Sequence, residues 1–384
     1  MKICIDIQAA VAQRAGIGRY TRLLVEHLAP LAESGELVCF YFDFLRKGQP
    51  PAIPNLKRSL WFPGRIAQFC WKKLAWPPYD WFAGAFDLYH FTNFIIPPLT
   101  HGKKIVSIHD ASFLRHPEFA ENRNLEFLRS QIKDTIRRAD AVITISHFSA
   151  DEISSFFPEA ENKIHVIYPG VMEHVWKGKP EERSQKAEGR DQRSEVRRQK
   201  SKIGSQSVRP YILTVGTLEP RKNIPFLIEV FEKMEKFQGK LVIAGRRGWK
   251  FLSTLERIST SNRAKDIILL EDVDDDDLAG LYVGAELFIY PSFYEGFGFP
   301  PLEAFVCGAP VISSAGGSLK EVLGNGALVM ERYDSNQWAE ASLEIINNRE
   351  KRQSLVDAGK RQAAKYTWAE AAKQTMELYR SFAS

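Results

Sequence analysis

The most informative stretch of this sequence is Pro291–Glu303, which reads PSFYEGFGFPPLE. The apolar run Leu287–Tyr290 before it is typical of a buried strand. Pro301–Cys307 after it is typical of a short helix, because proline suits the first helical positions and Gly308 suits the position past the end. A strand, a glycine loop and a helix N-terminus in this order present backbone N–H groups to an anion.

Two carboxylates belong to this stretch, Glu295 in the loop and Glu303 in the first turn of the predicted helix. A carboxylate accepts hydrogen bonds at both oxygens, so it can bind neighbouring hydroxyl groups of a sugar. An isolated Glu303 would more simply stabilise the N-terminus of its own helix. The complete pattern of two acids around a glycine loop favours a sugar-binding function.

A second constellation follows the predicted strand Tyr211–Val215 and reads GTLEPRKN over Gly216–Asn223. Arg221 and Lys222 lie just before a predicted helix, Ile224–Phe237, with Asn223 as its N-cap. Two cations at a helix N-terminus indicate an anion site, and we expect Lys222 at an open cleft. The next predicted strand, Lys240–Ala244, is followed by GRRG, which brings Arg246 and Arg247 to the same edge of the sheet.

These motifs resemble the signature of the family-four retaining glycosyltransferases with the GT-B fold, in which two glutamates are separated by seven residues around Gly-Phe-Gly and Pro-Leu-Glu. The resemblance implies an α/β protein of two facing Rossmann-like domains with a central cleft. It implies that the C-terminal domain binds a nucleotide diphosphate sugar and the N-terminal domain an acceptor. It also implies that the last helix, predicted at Trp368–Phe382 with Thr367 as N-cap, crosses back to the first domain.

The resemblance also implies roles for individual residues. Lys222 and Arg221 would neutralise the leaving diphosphate, and Glu303 would bind the ribose. Glu295 and the backbone of Phe297–Phe299 would bind the sugar, with His109 against it from the other domain. Many relatives carry an arginine at the position of Thr217, and in the subgroup with Gly-Thr-Leu-Glu-Pro-Arg-Lys-Asn the resemblance assigns the role of second cation to Arg221. Further donor contacts are expected from Gly16, Gly18, Gly216, Thr217, Arg246, Gly298 and Leu302.

The N-terminal half repeats the strand, glycine loop and helix order, with a strand at Lys2–Gln8, a loop at Ala9–Gly18 and a helix at Arg19–Ala32. Two glycines in a loop usually make only a turn, but the family places such a loop near the donor diphosphate. A strand at Lys104–His109 ends in His109-Asp110, where ligands of open α/β sheets bind. A histidine at a strand end is more often structural, and only the resemblance favours a function for His109.

Strands alternate with helices through most of the chain, which predicts doubly wound parallel sheets. We divide the chain into an N-terminal domain 1–176, an insertion 177–208, a C-terminal domain 209–365 and a returning helix 366–384. The insertion is rich in charged residues and poor in aliphatic ones, so we predict that it is disordered. The other strands are predicted at Leu37–Phe42, Asp87–Phe91, Ala141–Ser146, Lys163–Tyr168, Ile267–Leu270, Val311–Ser314 and Leu328–Met330, and another helix at Asn122–Arg138.

Residues 56–82 combine five cations with many aromatic side chains, and no acid occurs before Asp80. This mixture suits an anionic membrane surface or a lipid-linked acceptor. It suits equally well a segment that packs in the core with solvated lysines, and the sequence leaves both possibilities open.

The composition excludes several classes of protein. With 384 residues, 44% hydrophobic and 26% charged, the chain fits two soluble domains. No apolar run approaches the length of a membrane span, and the start does not resemble a secretory signal. A net charge of +5 is too modest to indicate nucleic-acid binding. We therefore predict a cytoplasmic protein, peripheral at the inner face of the membrane if residues 56–82 contact lipid.

We predict neither a metal site nor a bound cofactor. The four cysteines are scattered without metal-ligand spacing. Asp272 and Asp274 form an Asp-x-Asp pattern, but it continues into further acids at a helix start, where they are favourable without a metal. A metal-independent enzyme would neutralise its leaving diphosphate with arginine, lysine and helix ends.

The predicted activity is transfer of a hexosyl group, with retention of configuration, to a glycan or a lipid-linked glycan. The motifs resemble mannosyltransferases of bacterial surface polysaccharide assembly, so mannose from GDP-mannose is preferred, with UDP-glucose or another UDP-hexose as the alternative donor. A GT-B nucleotide-sugar epimerase would not need an acceptor surface, and a phosphorylase would need a pyridoxal lysine. A silent sugar-nucleotide sensor would not need His109, Lys222, Glu295 and Glu303 together.

Overall fold

A computed structural model describes residues 1–13, 16–119, 122–171 and 210–383. The chain forms two compact units. The N-terminal domain comprises Met1–Gly170 together with Tyr366–Ser384, and the C-terminal domain comprises Val171–Lys365. The predicted insertion 177–208 lies outside the described residues. Among the described helices, none has both the length and the apolar composition needed to cross a membrane.

The N-terminal domain is built on a sheet of seven parallel strands in the order β3-β2-β1-β4-β5-β6-β7. Its strands are β1 (Ile3–Asp6), β2 (Leu37–Phe42), β3 (Leu56–Ser59), β4 (Leu88–Phe91), β5 (Lys103–Ser107), β6 (Ala141–Thr144) and β7 (Ile164–Val166). The helices are α1 (Gln8–Ala12), α2 (Ile17–Leu28), α3 (Gly64–Leu74), α4 (Asp80–Ala83), α5 (Ser112–Arg115), α6 (Asn122–Arg138) and α7 (His147–Phe156). Short 3-10 turns connect several of them.

One local prediction for this domain needs correction. Ala9–Gly18 is not a continuous loop, because α1 occupies Gln8–Ala12 directly after β1. Residues 56–82, for which no elements were predicted, contain the edge strand β3 and the helix α3, whose Ala67 belongs to the same hydrophobic core as Phe42. Aromatic residues favour strands while the lysines and arginines between them are good helix formers, so the mixed pattern of this segment gave no clear period.

The C-terminal domain has six parallel strands in the order β10-β9-β8-β11-β12-β13. All six were predicted with the bounds that the structure shows, because strands covered on both faces are nearly continuous apolar runs. They are β8 (Tyr211–Val215), β9 (Lys240–Ala244), β10 (Ile267–Leu270), β11 (Leu287–Tyr290), β12 (Val311–Ser314) and β13 (Leu328–Met330). The helices are α8 (Ile224–Lys233), α9 (Leu252–Ser259), α10 (Asp275–Gly284), α11 (Phe299–Cys307), α12 (Leu319–Leu323), α13 (Ser335–Asn347) and α14 (Arg349–Ala363).

Both sheets reverse their strand order at one point, between the first and the fourth strand of the domain. In the N-terminal domain this point lies between β1 and β4, and in the C-terminal domain between β8 and β11. Chain segments leave the sheet in opposite directions there, which opens a crevice beyond the carboxyl ends of the two strands. The topology of each domain therefore predicts where a ligand binds, independently of any motif.

The last helix, α15 (Trp368–Ser381), belongs to the N-terminal domain, as the sequence predicted. Thr367 caps it by accepting a hydrogen bond from the Glu370 N–H. Near its other end the Tyr379 hydroxyl lies 2.5 Å from Nδ1 of His90 on β4, and Nε2 of the same ring lies 2.8 Å from the Ser107 hydroxyl. Burial lowers the pKa of His90 to about 3, so this ring is neutral and depends on its two hydroxyl partners.

Tyr379→Phe should therefore lower the free energy of unfolding by about 1–3 kcal/mol, because one nitrogen of the buried His90 ring loses its partner. Urea denaturation followed by circular dichroism measures the change. Tyr41→Phe is the matched control, since Tyr41 is a buried tyrosine on β2 of the same domain that is not part of this pair. Equal losses of unfolding free energy in the two variants would show that the contact between Tyr379 and His90 does not stabilise the domain.

Candidate active site

The carboxylate of Glu295 is the centre of a buried ionic cluster at the reversal point of the C-terminal sheet. Lys222 Nζ lies 2.6 Å from Glu295 Oε1 and donates to the Tyr290 hydroxyl, also at 2.6 Å. The hydroxyls of Tyr290 and Ser292 donate to the same Oε1 at 2.9 and 2.6 Å. The cluster therefore joins the loop after β8 to the loop after β11.

Arg221 binds the other oxygen of this carboxylate. Its Nη1 donates to Glu295 Oε2 at 2.8 Å and to the Tyr294 carbonyl at 2.9 Å. Its Nε and Nη2 face Glu219 Oε1 at 2.9 and 2.7 Å. Arg221 thus lies between two carboxylates and contacts both loops at once.

Burial and charge act against each other in this cluster. Burial alone would raise the pKa of Glu295, but Arg221 and Lys222 lower that pKa to about 2. Burial and the neighbouring Arg221 lower the pKa of Lys222, while Glu295 and Glu219 oppose that shift. Glu295 is consequently an ionised carboxylate at neutral pH whose charge is balanced inside the protein.

Lys222 is only 8% exposed, and this corrects the expectation that it would lie at an open cleft. Its aliphatic stem passes Gly216, where an added Cβ would lie 3.4 Å from Lys222 Cε. Asn223 was also misjudged, because it has a left-handed backbone (φ 52°) and its side chain makes no capping bond to α8. The turn Pro220–Lys222 therefore directs the lysine inward rather than toward solvent.

A third loop, the one after β12, contacts the backbone of Glu295. The Ser318 N–H and hydroxyl donate to the Glu295 carbonyl at 2.9 and 3.1 Å. Gly317 has a φ of +66°, and a Cβ there would lie 2.3 Å from the same carbonyl. Only glycine permits this close approach of two backbones. The sequence signal for this loop is the pair Gly316-Gly317 after β12, and the motifs quoted above did not include it.

The glycine loop before α11 is formed as the motif indicated. Gly298 is the N-cap residue with a φ of 96°, and the rings of Phe297 and Phe299 lie 5.0 Å apart. The helix begins at Phe299, two residues earlier than predicted, so Glu303 lies in its second turn. The side chains of Leu302 and Glu303 are buried, and the Tyr282 hydroxyl donates to Glu303 Oε2 at 2.9 Å. Tyr282, on α10, is a partner that sequence reasoning missed.

Two further residues predicted to contact the nucleotide-sugar donor, Thr217 and Arg246, lie on the loops after β8 and β9. Thr217 packs against Gly248, where a Cβ would approach the Thr217 methyl to 2.6 Å. Arg246 Nε lies 3.0 Å from Asp272 Oδ1 in an exposed ion pair. Asp274 caps α10 by accepting from the Asp277 N–H. Both acids of the Asp-x-Asp pattern thus have partners within the protein.

The N-terminal domain has its predicted glycines at the start of α2. Gly16 is the N-cap residue with a φ of +57°, and its carbonyl accepts from the Tyr20 N–H at 3.0 Å. A Cβ on Gly18 would lie 2.1 Å from the Gln13 carbonyl, so α1 and α2 can approach each other only with glycine at this position. Gly18 therefore has a packing function whatever it binds.

His109 lies two residues beyond β5 and is 6% exposed. Its Nε2 is 2.9 Å from the Thr92 carbonyl, which can only accept, so Nε2 carries the proton. The edges of the Tyr20 and Phe94 rings contact it at 4.7 and 5.6 Å between ring centroids. Burial lowers the pKa of His109, which leaves a neutral ring whose Nδ1 is a hydrogen-bond acceptor.

The segment 56–82 presents a basic–aromatic surface on this domain. On α3, Ala67 is buried while Arg65, Ile66, Phe69 and Lys72 are exposed. Three tryptophans of the segment are more than half exposed: Trp61, Trp76 and Trp81. Part of the segment is core, since Phe82 and Tyr79 are buried. One side of the segment therefore packs in the core, and the other presents basic and aromatic side chains to solvent.

Two family models match the chain, "Glycosyltransferase Family 4" over residues 14–173 and "Glycosyl transferases group 1" over residues 195–362. Together they cover both domains. The chain belongs to the family 4 glycosyltransferases. It is an enzyme of glycosyl transfer with two Rossmann-like domains of the GT-B type.

Individual proteins are similar along the full length of the chain. "O-antigen chain mannosyltransferase B" of Escherichia coli is 28% identical over 99% of this chain and 100% of its own. "O-antigen chain mannosyltransferase RfbU" of Salmonella typhimurium is 25% identical over 85% of this chain and 86% of its own. The solved structure of sucrose-phosphate synthase from Thermosynechococcus elongatus superposes with a TM-score of 0.73 at 19% identity, covering 99% of this chain and 98% of that one, and supports the fold.

Lys222→Met should lower the free energy of unfolding by about 1–3 kcal/mol, because Glu295 stays buried with one of its two cations removed. Urea denaturation of the purified variant measures this loss. Lys320→Met is the matched control, because Lys320 pairs with Glu331 at the same 2.6 Å on the surface. An exposed pair contributes about 0–1 kcal/mol. A Lys222→Met variant as stable as the control would show that the buried cluster does not stabilise the domain.

Proposed function

We propose that this glycosyltransferase transfers a mannosyl residue from GDP-mannose, with retention of configuration, to a glycan or lipid-linked glycan acceptor. The observation that carries this proposal is the meeting of Lys222 and Glu295 at the point where the strand order of the C-terminal sheet reverses. A cation for the diphosphate and a carboxylate for sugar hydroxyls are thereby held next to each other.

The chemistry of the cluster suits a nucleotide diphosphate sugar. Lys222 lies at the turn before the N-terminus of α8, and the glycine loop around Gly298 precedes the N-terminus of α11. Helix N-termini and cations stabilise the charge that develops on a departing diphosphate. We propose that Lys222 performs this role without a metal ion, that Glu295 binds the sugar hydroxyls, and that Glu303 binds the ribose.

The N-terminal domain would supply acceptor-side and sugar contacts. A neutral histidine that donates through Nε2 to a carbonyl can accept a hydrogen bond at Nδ1 from a hydroxyl group. We propose that Nδ1 of His109 accepts from a sugar hydroxyl. This role requires the neutral ring, and the lowered pKa of His109 ensures that state at neutral pH.

The choice of mannose is supported by the names of the relatives. Both curated relatives described above are named as mannosyltransferases of O-antigen chains, and one matches the chain over its full length. Assembly of a bacterial surface polysaccharide is therefore the proposed process. A UDP-hexose is the alternative donor.

Isothermal titration calorimetry with GDP and UDP, followed by product analysis with GDP-mannose and UDP-glucose, tests the donor. We expect GDP to bind at least about tenfold more tightly, a difference of about 1.4 kcal/mol. NMR coupling constants of the product should show the α-configuration of the donor. Faster turnover of UDP-glucose would reject GDP-mannose, and an inverted product would reject retention.

A lipid-linked acceptor would be reached from the cytoplasmic side of a membrane. We propose that the basic–aromatic surface, residues 56–82, binds anionic lipid headgroups. Its cations would be attracted to the leaflet by about 1 kcal/mol each, and exposed tryptophans are favourable at the depth of the headgroups. Phe69 lies on the outward side of α3 between Arg65 and Lys72, so apolar and basic groups face solvent together.

Sedimentation with vesicles of phosphatidylglycerol and phosphatidylcholine tests this surface. Wild-type protein should sediment at low salt and be released at 0.5 M salt, because exposed charges are screened within about 10 Å already at 0.1 M. Arg65→Glu with Lys72→Glu should abolish sedimentation and leave GDP binding unchanged. The control reverses two exposed lysines of the C-terminal domain, Lys236 and Lys265. Wild-type protein that ignores the vesicles at low salt would contradict the proposal.

A further inference from the structure

Glu219 is a buried carboxylate to which the sequence patterns assigned no role. It lies between β8 and the turn that contains Arg221 and Lys222, and its side chain is only 3% exposed. Its backbone is extended (φ −141°, ψ 155°), as expected for a residue before proline. A buried carboxylate is costly unless it is paired, so its position calls for a specific partner.

That partner is Arg221, which Glu219 contacts on the side opposite to Glu295. Oε1 of Glu219 lies 2.9 Å from Nε and 2.7 Å from Nη2, whereas Nη1 points to Glu295 and the Tyr294 carbonyl. A guanidinium is planar, so fixing two of its nitrogens also fixes the direction of the third. Glu219 thereby sets where Arg221 meets Glu295.

The backbone ties the same two loops together. The Phe293 N–H donates to the Arg221 carbonyl at 2.8 Å, and the Ser292 hydroxyl lies 3.2 Å from it. The backbone of Arg221 is thus fixed, but its long side chain could still rotate. The contact of Glu219 with Nε and Nη2 holds the rear of the guanidinium in place.

Without Glu219, rotation of the Arg221 side chain would become favourable when a nucleotide-sugar donor binds. A nucleotide diphosphate brings several negative charges close to Lys222, and Arg221 is the adjacent residue. Without Glu219 the guanidinium would be attracted to the phosphate oxygens and would leave Glu295. Glu295 would then lose the partner of its Oε2 at the moment when it must bind the sugar.

We propose that Glu219 is a positioning residue that holds Arg221 on Glu295, so that Glu295 remains oriented toward the donor sugar while Lys222 alone meets the diphosphate. This inference rests on the proposed function. It narrows that function, because it assigns different tasks to the two adjacent cations, Arg221 and Lys222. Arg221 orients the carboxylate that binds the sugar, and Lys222 binds the leaving group.

Glu219→Gln tests the proposal, because it keeps the shape of the side chain and removes its charge. We expect kcat with the preferred donor to fall about 10- to 100-fold, as for other small displacements of a binding group. The dissociation constant for GDP should stay the same or decrease, since loss of a negative charge does not weaken binding of an anion. A merely structural role would weaken GDP binding and turnover together.

Glu271→Gln is the matched control, because Glu271 pairs with Arg247 Nε at 2.7 Å on a neighbouring loop and is partly exposed. Glu271→Gln should change neither kcat nor the dissociation constant for GDP. If Glu219→Gln does not fold, Glu219→Asp supports the same comparison, because it keeps the charge but withdraws the oxygen from Arg221. Its kcat should fall less than that of the glutamine variant if both fold.

Two results would overturn the proposal. One is unchanged turnover in Glu219→Gln, and the other is a loss of GDP affinity in proportion to the loss of turnover, which would make Arg221 a diphosphate ligand. Failure of the proposed function is recognised separately. In that case the wild-type protein itself binds neither GDP nor UDP, or transfers no sugar from either donor.

Discussion

The C-terminal domain depends on an ionised carboxylate kept away from water. Glu295 is acceptable at 6% exposure only because Lys222 and Arg221 each bind one of its oxygens. Both partners lie on the turn after β8, whereas Glu295 lies on the loop after β11, so burial of one charge requires both loops to have a single arrangement. The pairing explains why a turn before a helix and a glycine-rich loop 73 residues later in the chain form one unit.

The strand topology makes this pairing possible. β8 and β11 are distant in sequence and adjacent in the sheet, and the connections that leave them diverge. Side chains placed just beyond both strands therefore meet in the crevice at this point. The N-terminal domain has the same reversal between β1 and β4, and the buried, neutral His109 lies beyond the next strand, β5. The two domains place chemically different groups at the edges of similar sheets.

Much of this arrangement could be predicted from the sequence because it depends on local patterns. Apolar runs located the six strands of the C-terminal domain, and the motifs located Lys222, Glu295 and the glycine loop. The inward direction of Lys222 could not be predicted, because it follows from the left-handed backbone of Asn223 and from contacts with Tyr290 on another strand. Tyr282 and Ser318 were missed for the same reason, since their partners Glu303 and Glu295 are 21 and 23 residues away in sequence. Glu219 was missed although its partner Arg221 is two residues away, because the burial of its side chain is not visible in the sequence pattern. In segment 56–82, side chains of one type face both core and solvent, and composition alone cannot separate them.

The central claim is that Glu295 is a permanently ionised carboxylate between two cations. A 13C NMR titration of the Glu295 side-chain carboxyl, assigned by comparison with Glu295→Gln, tests it most directly. Its pKa is lowered to about 2 by Arg221 and Lys222 against the opposing effect of burial, so the signal should not shift between pH 7 and pH 4. A titration midpoint near the ordinary glutamate value of about 4.3 would contradict the account, because it would show that the two cations do not hold this carboxylate in solution.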